Sequence, residues 1–272
     1  MKKLLCQSDD YGLTPAVSAG IIKGIQEGII RNTGLFVNMK HSQEAVQLIK
    51  DIDVCLGIDI NLVAGKPVSD PKLIPHLIDE NGNFLSSKYQ LKNHKLNSVE
   101  GIIFHFDEDP YPYEEVLIET ENQLKKFLEL TGKLPEYFHP HSLCTPNTDK
   151  AAEVIAKKYG IFRTADMMNH PNIKELPGTI SLSKSVTLED QIQKDVETEL
   201  LEVALPALLD NETGYYICHC GYVDYDLFLN SSLTLRRTKD LHSATSPRVK
   251  DYIQNHDIEL ITYREIKQLI SS

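Results

Sequence analysis

The hydrophobic and polar positions of the chain follow two alternating patterns. Between short apolar runs, apolar residues recur every three or four positions, as on one face of an amphipathic helix. The short runs have the length of buried parallel strands and occupy residues 4–6, 33–37, 54–62, 134–141, 161–164, 214–218 and 258–262. Strands and helices that alternate seven or eight times predict an α/β fold, a single distorted (β/α) TIM-like barrel with mostly parallel strands over residues 1–272.

Two parts of the chain depart from this alternation. Glycine, proline and asparagine interrupt the periodicity from about residue 64 to 110, which is too long for an ordinary connection. We therefore expect an irregular excursion there that covers the functional site. Apolar residues recur every four positions across residues 188–203 and predict one long amphipathic helix, and a short strand is expected near residues 179–182.

Composition and charge narrow the classes of function. The chain has 272 residues, of which 41% are hydrophobic and 25% charged, typical of a globular protein. Its formal net charge of -11 disfavours nucleic acid and anionic membrane surfaces as partners. No apolar run approaches the roughly 20 residues of a transmembrane helix, and no signal-peptide pattern precedes the first strand, so we expect a cytoplasmic location. The five cysteines are expected to be reduced thiols.

Polar residues stand where several predicted strands end. Asp9 and Asp10 follow the first strand, and their side chains would point in opposite directions in a regular strand, so the backbone must turn between them. Gly12 permits such a turn. Asp59 and Asn61 share one face of the third strand because side chains alternate along a strand. Each of these residues also has a structural explanation, as a turn, a cap or a hydrogen-bonded core pair.

Histidines stand at two further strand ends. His139 and His141 end the fourth strand, and His219 follows the strand at residues 214–218. The carboxyl ends of the strands of a parallel barrel converge on one mouth. A lone histidine is commonly a hydrogen-bonded loop residue, but carboxylates and imidazoles from four strand ends together are the donors that a divalent metal or a hydrolytic site requires.

These residues lie in motifs that resemble a known family. Ser-Asp-Asp-Tyr-Gly-Leu-Thr at residues 8–14 resembles the Asp-Asp-Phe-Gly-Leu-Ser signature of the YdjC-like (ChbG-type) carbohydrate deacetylases. Residues 57–62, Gly-Ile-Asp-Ile-Asn-Leu, resemble the family's Gly-Leu-His-Leu-Asn-Leu, and residues 139–141 its His-x-His. Residues 219–222, His-Cys-Gly-Tyr, resemble its His-Pro-Gly-Tyr, and residues 237–241, Arg-Thr-Lys-Asp-Leu, an Arg-x-x-Glu-Leu element. Each motif is weak alone, whereas the ordered set is specific and spans nearly the whole chain.

The resemblance implies a fold akin to that of polysaccharide deacetylases and the removal of acetyl groups from N-acetylated mono- or oligosaccharides. Matched position by position, it implies three metal ligands, namely Asp10, Asp59 and His139. Asp9 would then be the general base, and His219 or His141 the acid that protonates the leaving amine. A homodimer is a further implication of the resemblance.

Asn61 and Arg237 fall in family-like elements and are the expected substrate-binding residues. An arginine there suits an anionic ligand, so a phosphorylated sugar is an alternative to a neutral sugar or oligosaccharide. Magnesium is the expected ion, with zinc and manganese as alternatives, because an aspartate at residue 59 offers a hard oxygen donor where the family has histidine.

The same departure at Asp59 leaves two alternative functions open. The carboxylates alone could cleave a glycoside or a phospho-disaccharide, which needs two carboxyl groups on either side of the bond. Alternatively, the chain could be a catalytically degenerate sugar-binding protein. Tyr137 stands where the family has an aspartate two residues before His139, so the orientation of that imidazole is also expected to differ.

Overall fold

A computed structural model describes residues 1–178 and 187–271 of the chain. Most apolar residues at the predicted strand positions are buried in it, and its strands belong to one main sheet and one hairpin. In chain order the strands are β1 (Lys2–Tyr11), β2 (Asn32–Leu35), β3 (Cys55–Ile60), β4 (Leu96–Glu100), β5 (Ile103–Phe106), β6 (Tyr137–Pro140), β7 (Phe162–Arg163), β8 (Ile173–Glu175), β9 (Thr213–Cys218) and β10 (Ile258–Ile261).

Among the described residues, the main sheet has eight strands, and every pair of neighbours in it is parallel. Its order is β7-β6-β3-β2-β1-β9-β8, and β10 pairs with the first half of β1. β1 is therefore central: β10 and then β2 follow one another along one of its edges, while β9 runs along the other. The predicted α/β barrel of seven or eight mostly parallel strands is confirmed, in an open form in which β7 and β8 are the outer strands of the described chain.

Helices connect the strands, as the helical spacing predicts. They are α1 (Pro15–Glu27), α2 (Ser42–Ile49), α3 (Ser87–Asn93), α4 (Tyr113–Thr131), α5 (Pro146–Tyr159), α6 (Thr164–Met168), α7 (Leu188–Gln193), α8 (Val196–Glu199), α9 (Leu205–Leu209), α10 (Tyr225–Asn230), α11 (Leu235–Thr245), α12 (Pro247–Asn255) and α13 (Tyr263–Ser271). Thr14 caps α1 by accepting a hydrogen bond from the backbone N of Val17. Gly132 and Gly160 end α4 and α5 with φ values of 72° and 69°.

The predicted excursion at about residues 64–110 contains more regular structure than its sequence indicates. A 3₁₀ turn (Pro71–Leu73), α3 and an antiparallel hairpin of β4 and β5 lie in it. The first strand of this hairpin is largely exposed and lacks the alternation of apolar and polar residues that identifies a half-buried strand. Periodicity therefore does not reveal it.

The single long helix predicted over residues 188–203 is wrong. α7 ends at Gln193, and Asp195 begins α8 by accepting a hydrogen bond from the backbone N of Thr198. A π-helical turn (Leu200–Ala204) then leads into α9. The apolar residues keep their spacing across Asp195, so the spacing alone predicts one helix. The Asp195 side chain nevertheless bonds the backbone and starts a new helix there. The strand predicted near residues 179–182 lies outside the described residues.

The five cysteines are free and buried, as expected for reduced thiols. In the described part of the chain, no helix combines the length and apolar character needed to cross a bilayer. Apolar side chains of β1, β2 and β3 belong to the main hydrophobic core together with many side chains of the surrounding helices, and this packing holds the central strands rigidly. This rigidity matters because the polar residues predicted for the site lie at the ends of these strands.

Candidate active site

The carboxyl end of β1 brings the two aspartates into different environments. Asp10 has a φ of 74°, in the left-handed region that a non-glycine residue rarely adopts. The turn expected between Asp9 and Asp10 is therefore confirmed. The backbone N of Asp10 donates a hydrogen bond of 2.9 Å to Oδ2 of Asp59, and the register of β3 and β6 sets Asp59 beside His139. The predicted strand-end residues meet at one edge of the sheet.

Asp9 lies between two imidazoles. Its Oδ2 is 3.3 Å from Nε2 of His139 and 3.8 Å from Nε2 of His219, while its Oδ1 accepts a 2.5 Å hydrogen bond from Gln7. Burial alone would raise the pKa of Asp9, but the charges of His139 and His219 and the hydrogen bond from His139 lower it. Burial would also lower the pKa of His139, whereas Asp9 raises it to about 9. The pair is thus an anion beside a cation at neutral pH.

Asp10 forms a second buried cluster, with an arginine and an imidazole. Its Oδ2 accepts a 2.5 Å hydrogen bond from Nη2 of Arg237, and Nδ1 of His141 lies 2.9 Å from its Oδ1. Burial opposes ionisation of this carboxyl, but Arg237 and His141 hold its pKa well below the usual range. The His141 ring also packs edge-on against Phe36 at a centroid distance of 4.6 Å. His141 therefore accompanies Asp10 rather than Asp9.

Asp59 is fully buried, and of the three aspartates it has the fewest groups that would stabilise a negative charge. Its Oδ2 accepts the hydrogen bond from the backbone N of Asp10, but its Oδ1 has no hydrogen-bond partner among the described residues. Burial and the nearby charge of Asp9 raise the pKa of Asp59 to about 7. At neutral pH the three carboxyl groups thus differ: Asp9 and Asp10 are ionised, and Asp59 is partly protonated.

The two histidines beside Asp9 each bond a residue of a helix, His139 through its ring and His219 through its backbone. Nδ1 of His139 lies 2.9 Å from Oγ1 of Thr164, the first residue of α6. The backbone N of His219 donates to Oδ2 of Asp240, whose Oδ1 accepts a 2.6 Å hydrogen bond from Arg236. These contacts fix the ring of His139 and the backbone of His219 to helices behind the sheet edge.

The two predicted substrate-binding residues are both buried. The Asn61 side chain donates to Oδ1 of Asn38 and the backbone O of Ala64, and accepts from the backbone N of Val63 and Ala64. It thereby shapes the loop after β3. Arg237 donates to Asp10 and to the backbone O of Leu233. Substrate contact by either residue stays a prediction, because these contacts do not test it.

A comparison with known protein families identifies the chain. The family model described as "YdjC-like protein" matches residues 3–255, which include every motif discussed above. This match covers far more than half of the 272 residues. The chain belongs to the YdjC-like family.

Relatives of this YdjC-like chain match it from end to end. A protein of Clostridium beijerinckii named "Carbohydrate deacetylase" is 29% identical, and the alignment covers 97% of this chain and 100% of the relative. "Carbohydrate deacetylase 2" of Listeria innocua is 28% identical, with 97% and 98% covered. A crystal structure of an Enterococcus faecalis V583 protein, provisionally named for cellobiose-phosphate cleavage, matches with a TM-score of 0.71 and 22% identity over 97% of this chain and 98% of that one. This last likeness shows the shared fold.

The predicted ligands of the metal ion that the YdjC-like resemblance implies do not converge on one point in the site. In residues 1–178 and 187–271, no three His, Cys, Asp or Glu side chains come together to hold a metal ion. The carboxylate of Asp10 faces Arg237 and His141, and Nε2 of His139 faces Asp9. As they lie, the predicted ligands do not fit a three-ligand centre. Metal binding by Asp10, Asp59 and His139 stays a prediction, and no step below is assigned to a metal.

Three residues that contact the YdjC-like site were missed by sequence reasoning. Gln7 bonds Asp9, Thr164 bonds His139, and Asp240 bonds His219. A signal existed for Gln7, a polar residue in a buried strand two positions before Asp9 and hence on the same face. A signal also existed for Asp240, which lies in the family-like element at residues 237–241, but its partner could not be read from that motif. Thr164 and Asp240 both approach from helices, and their contacts depend on tertiary packing that the spacing does not encode.

Proposed function

We propose that this protein removes acetyl groups from N-acetylated mono- or oligosaccharides by hydrolysing the amide bond. Membership of the YdjC-like family supports the proposal, as do end-to-end relatives named carbohydrate deacetylase at 28–29% identity. The observation that carries it is the position of Asp9, a buried carboxylate with Nε2 of His139 at 3.3 Å and Nε2 of His219 at 3.8 Å.

These groups can supply the proton transfers that amide hydrolysis requires. Asp9 is ionised because its pKa is lowered, and it takes a proton from the attacking water. The water oxygen bonds to the amide carbon, the carbon–nitrogen bond breaks, and the sugar amine takes a proton as it leaves. The products are acetate and a free amino sugar, so one water is consumed for each amide broken.

His219 is the better candidate for the acid that protonates the amine. Its Nε2 lies 3.8 Å from the same Oδ2 of Asp9 that receives the water's proton, a separation that one bridging water spans, so a proton can pass between the two groups through that water. His141, the alternative acid, contacts Asp10 instead and packs against Phe36. We therefore assign base and acid roles to Asp9 and His219, and His139 holds a positive charge beside Asp9.

The decisive experiment measures acetate and free amine released from N-acetylglucosamine, diacetylchitobiose and their 6-phosphates. Chelator-treated protein is assayed alone and with magnesium, manganese or zinc. We expect equal amounts of acetate and amine from at least one substrate. In the isosteric variant Asp9→Asn, kcat should fall by about 10²-fold or more, because a positioned general base contributes on this order. Loss of activity with chelator and its return with one metal would support the metal prediction.

Other outcomes separate the alternative functions. A new reducing end without acetate would favour cleavage of a glycoside or phospho-disaccharide. Sugar binding without any product would favour a degenerate binding protein. Either result, with no acetate from any substrate under every metal condition, overturns the proposal.

A further inference from the structure

A buried chain of hydrogen bonds runs to Asp9 from the other end of the polypeptide. The Tyr263 hydroxyl donates a 2.5 Å hydrogen bond to Oε1 of Gln7, and Nε2 of Gln7 donates a 2.5 Å hydrogen bond to Oδ1 of Asp9. Gln7 is completely buried, and Tyr263 is 1% exposed. Water therefore does not compete for these bonds, and each group depends on its neighbour.

The chain of bonds has a defined direction. Nε2 of Gln7 donates to Oδ1 of Asp9, so the amide of Gln7 turns its NH₂ group towards Asp9 and its oxygen away from it. The Tyr263 hydroxyl meets that oxygen and donates to it. Without the hydroxyl, the amide oxygen would be a buried acceptor with no partner, and the amide would lose the contact that fixes its orientation.

Tyr263 is itself held at two points. It begins α13 directly after β10, and its backbone N donates to Oδ1 of Asn32, whose amide donates to the backbone O of Cys6 and Ile261. Its ring packs against the Tyr137 ring at a centroid distance of 4.2 Å. The hydroxyl is therefore a fixed donor on a rigid part of the sheet.

We propose that Gln7 and Tyr263 are positioning residues for Asp9, an inference that rests on the function proposed above. Gln7 occupies Oδ1, and this leaves Oδ2 directed at His139 and His219. Neither residue contacts the reacting atoms. They set the rotation of the carboxylate, which determines whether Oδ2 can take a proton from water in the required direction.

Tyr137 provides a matched control for the test. Its ring is in contact with the Tyr263 ring and is also fully buried, but its hydroxyl has no hydrogen-bond partner among the described residues. The variants Tyr263→Phe and Tyr137→Phe thus remove the same atom from neighbouring positions. Only the first removes a bond in the chain that leads to Asp9.

The kinetic arm compares kcat and KM for the substrate that releases acetate. We expect kcat to fall about tenfold in Tyr263→Phe, because leaving a buried amide oxygen without its donor has an effect of this order. The fall should be larger in Gln7→Met, which removes the bond to Asp9 itself, and KM should stay within about twofold of wild type in both. Tyr137→Phe should keep both constants within about twofold. Equal changes in the two phenylalanine variants would overturn the proposal.

A spectroscopic arm decides the proposal even when no acetate is released and the proposed function fails. The Nε2 resonance of His139, identified in ¹⁵N-histidine-labelled protein by its absence in His139→Gln, reports the position of the Asp9 carboxylate 3.3 Å away. It should move in Gln7→Met and Tyr263→Phe and stay in place in Tyr137→Phe. An unchanged resonance in the first two variants overturns the proposal, even if their kcat has fallen.

Discussion

At the residue scale, three buried carboxyl groups close together are stabilised in unequal ways. Asp9 has two imidazoles, and Asp10 has Arg237 and His141. Asp59 accepts a single backbone hydrogen bond. Because a buried charge is costly without a partner, the site keeps its charge low by favouring a proton on Asp59. An aspartate at this position thus acts differently from its two neighbours.

This difference predicts a pH-dependent stability for Asp59→Asn. Folding raises the pKa of Asp59 from 3.8 to about 7, so the folded state binds its proton more tightly than the unfolded state. The contribution of this group to stability is fully present below pH 3.8 and is lost as the pH rises through about 7. Asparagine cannot ionise. The Tm of Asp59→Asn minus that of wild type should therefore increase between pH 4.5 and pH 8 in chelator-treated protein.

The exposed residue Asp51 supplies the control, because Asp51→Asn removes a carboxylate that remains in water. Its Tm should follow the wild-type pH profile. Calorimetry at several pH values tests both variants. Parallel profiles for Asp59→Asn and wild type would show that folding does not favour the protonated form of Asp59.

At the scale of the elements, the spacing of β2 and β3 depends on a glycine facing Asp59. A Cβ atom placed on Gly34 would lie 1.6 Å from Oδ1 of Asp59, so no side chain fits there while the carboxylate keeps its position. The two residues lie on strands that pair directly. The absence of a side chain at Gly34 therefore provides the space that the buried Asp59 carboxylate occupies.

We expect Gly34→Ala to destabilise the fold, by about 1–3 kcal/mol, as overpacking of a core does. Asp59→Ala removes the atoms that clash, so the double variant should lose less stability than the sum of the single variants. Gly57→Ala is the control, because the three atoms nearest to a Cβ there all belong to the Tyr137 ring, the nearest at 2.4 Å. Its effect should add to that of Asp59→Ala. Urea unfolding measures the three single and two double variants against wild type, and additive effects in the Gly34 pair would contradict the expectation.

The elements that could be predicted are those whose own residues dictate them. The apolar run at residues 4–6, the cap at Thr14 and the stop at Gly160 each act locally, and β1, α1 and α5 form as expected. The exposed strand β4 carries no apolar alternation, and Asp195 interrupts a helical pattern whose apolar spacing continues across it. Spacing alone misses elements that are set by pairing partners or caps.

That the predicted site residues meet at one edge of the sheet could be predicted, but the contacts between their side chains could not. Parallel strands must bring their carboxyl ends to one edge, so the proximity of Asp9, Asp59 and His139 follows from the fold. Which cation each carboxylate faces depends on side-chain rotation and on helices behind the sheet. The pairing of Asp10 with Arg237, rather than with Asp59 and His139 around an ion, is of this kind.

At the scale of the whole molecule, one buried ion pair joins distant parts of the chain. Arg237 of α11 and Asp10 of β1 are separated by 227 positions, and both side chains are 1% exposed. The backbone O of Arg237 also accepts a hydrogen bond from the backbone N of Gly221, in the segment that follows His219. α11, the end of β1 and the His219 segment are thus tied together around the site.

Removing this cation should therefore destabilise the molecule as a whole. In Arg237→Met, the buried Asp10 carboxylate loses its arginine and keeps only the contact with the His141 imidazole, and we expect a loss of about 3–5 kcal/mol, as for other broken buried pairs. Arg264→Met is the control, because Arg264 is 45% exposed in its pair with Glu136. An exposed pair should cost no more than about 1 kcal/mol.

A second variant tests whether the loss of stability comes from the unpaired Asp10 charge or from altered packing. Adding Asp10→Asn to Arg237→Met removes the charge that would otherwise remain buried, so the double variant should regain part of the lost stability. Urea unfolding of the four proteins measures these differences. If Arg237→Met and Arg264→Met lost the same stability, or if Asp10→Asn gave no relief, the ion pair would not be what holds α11 against β1.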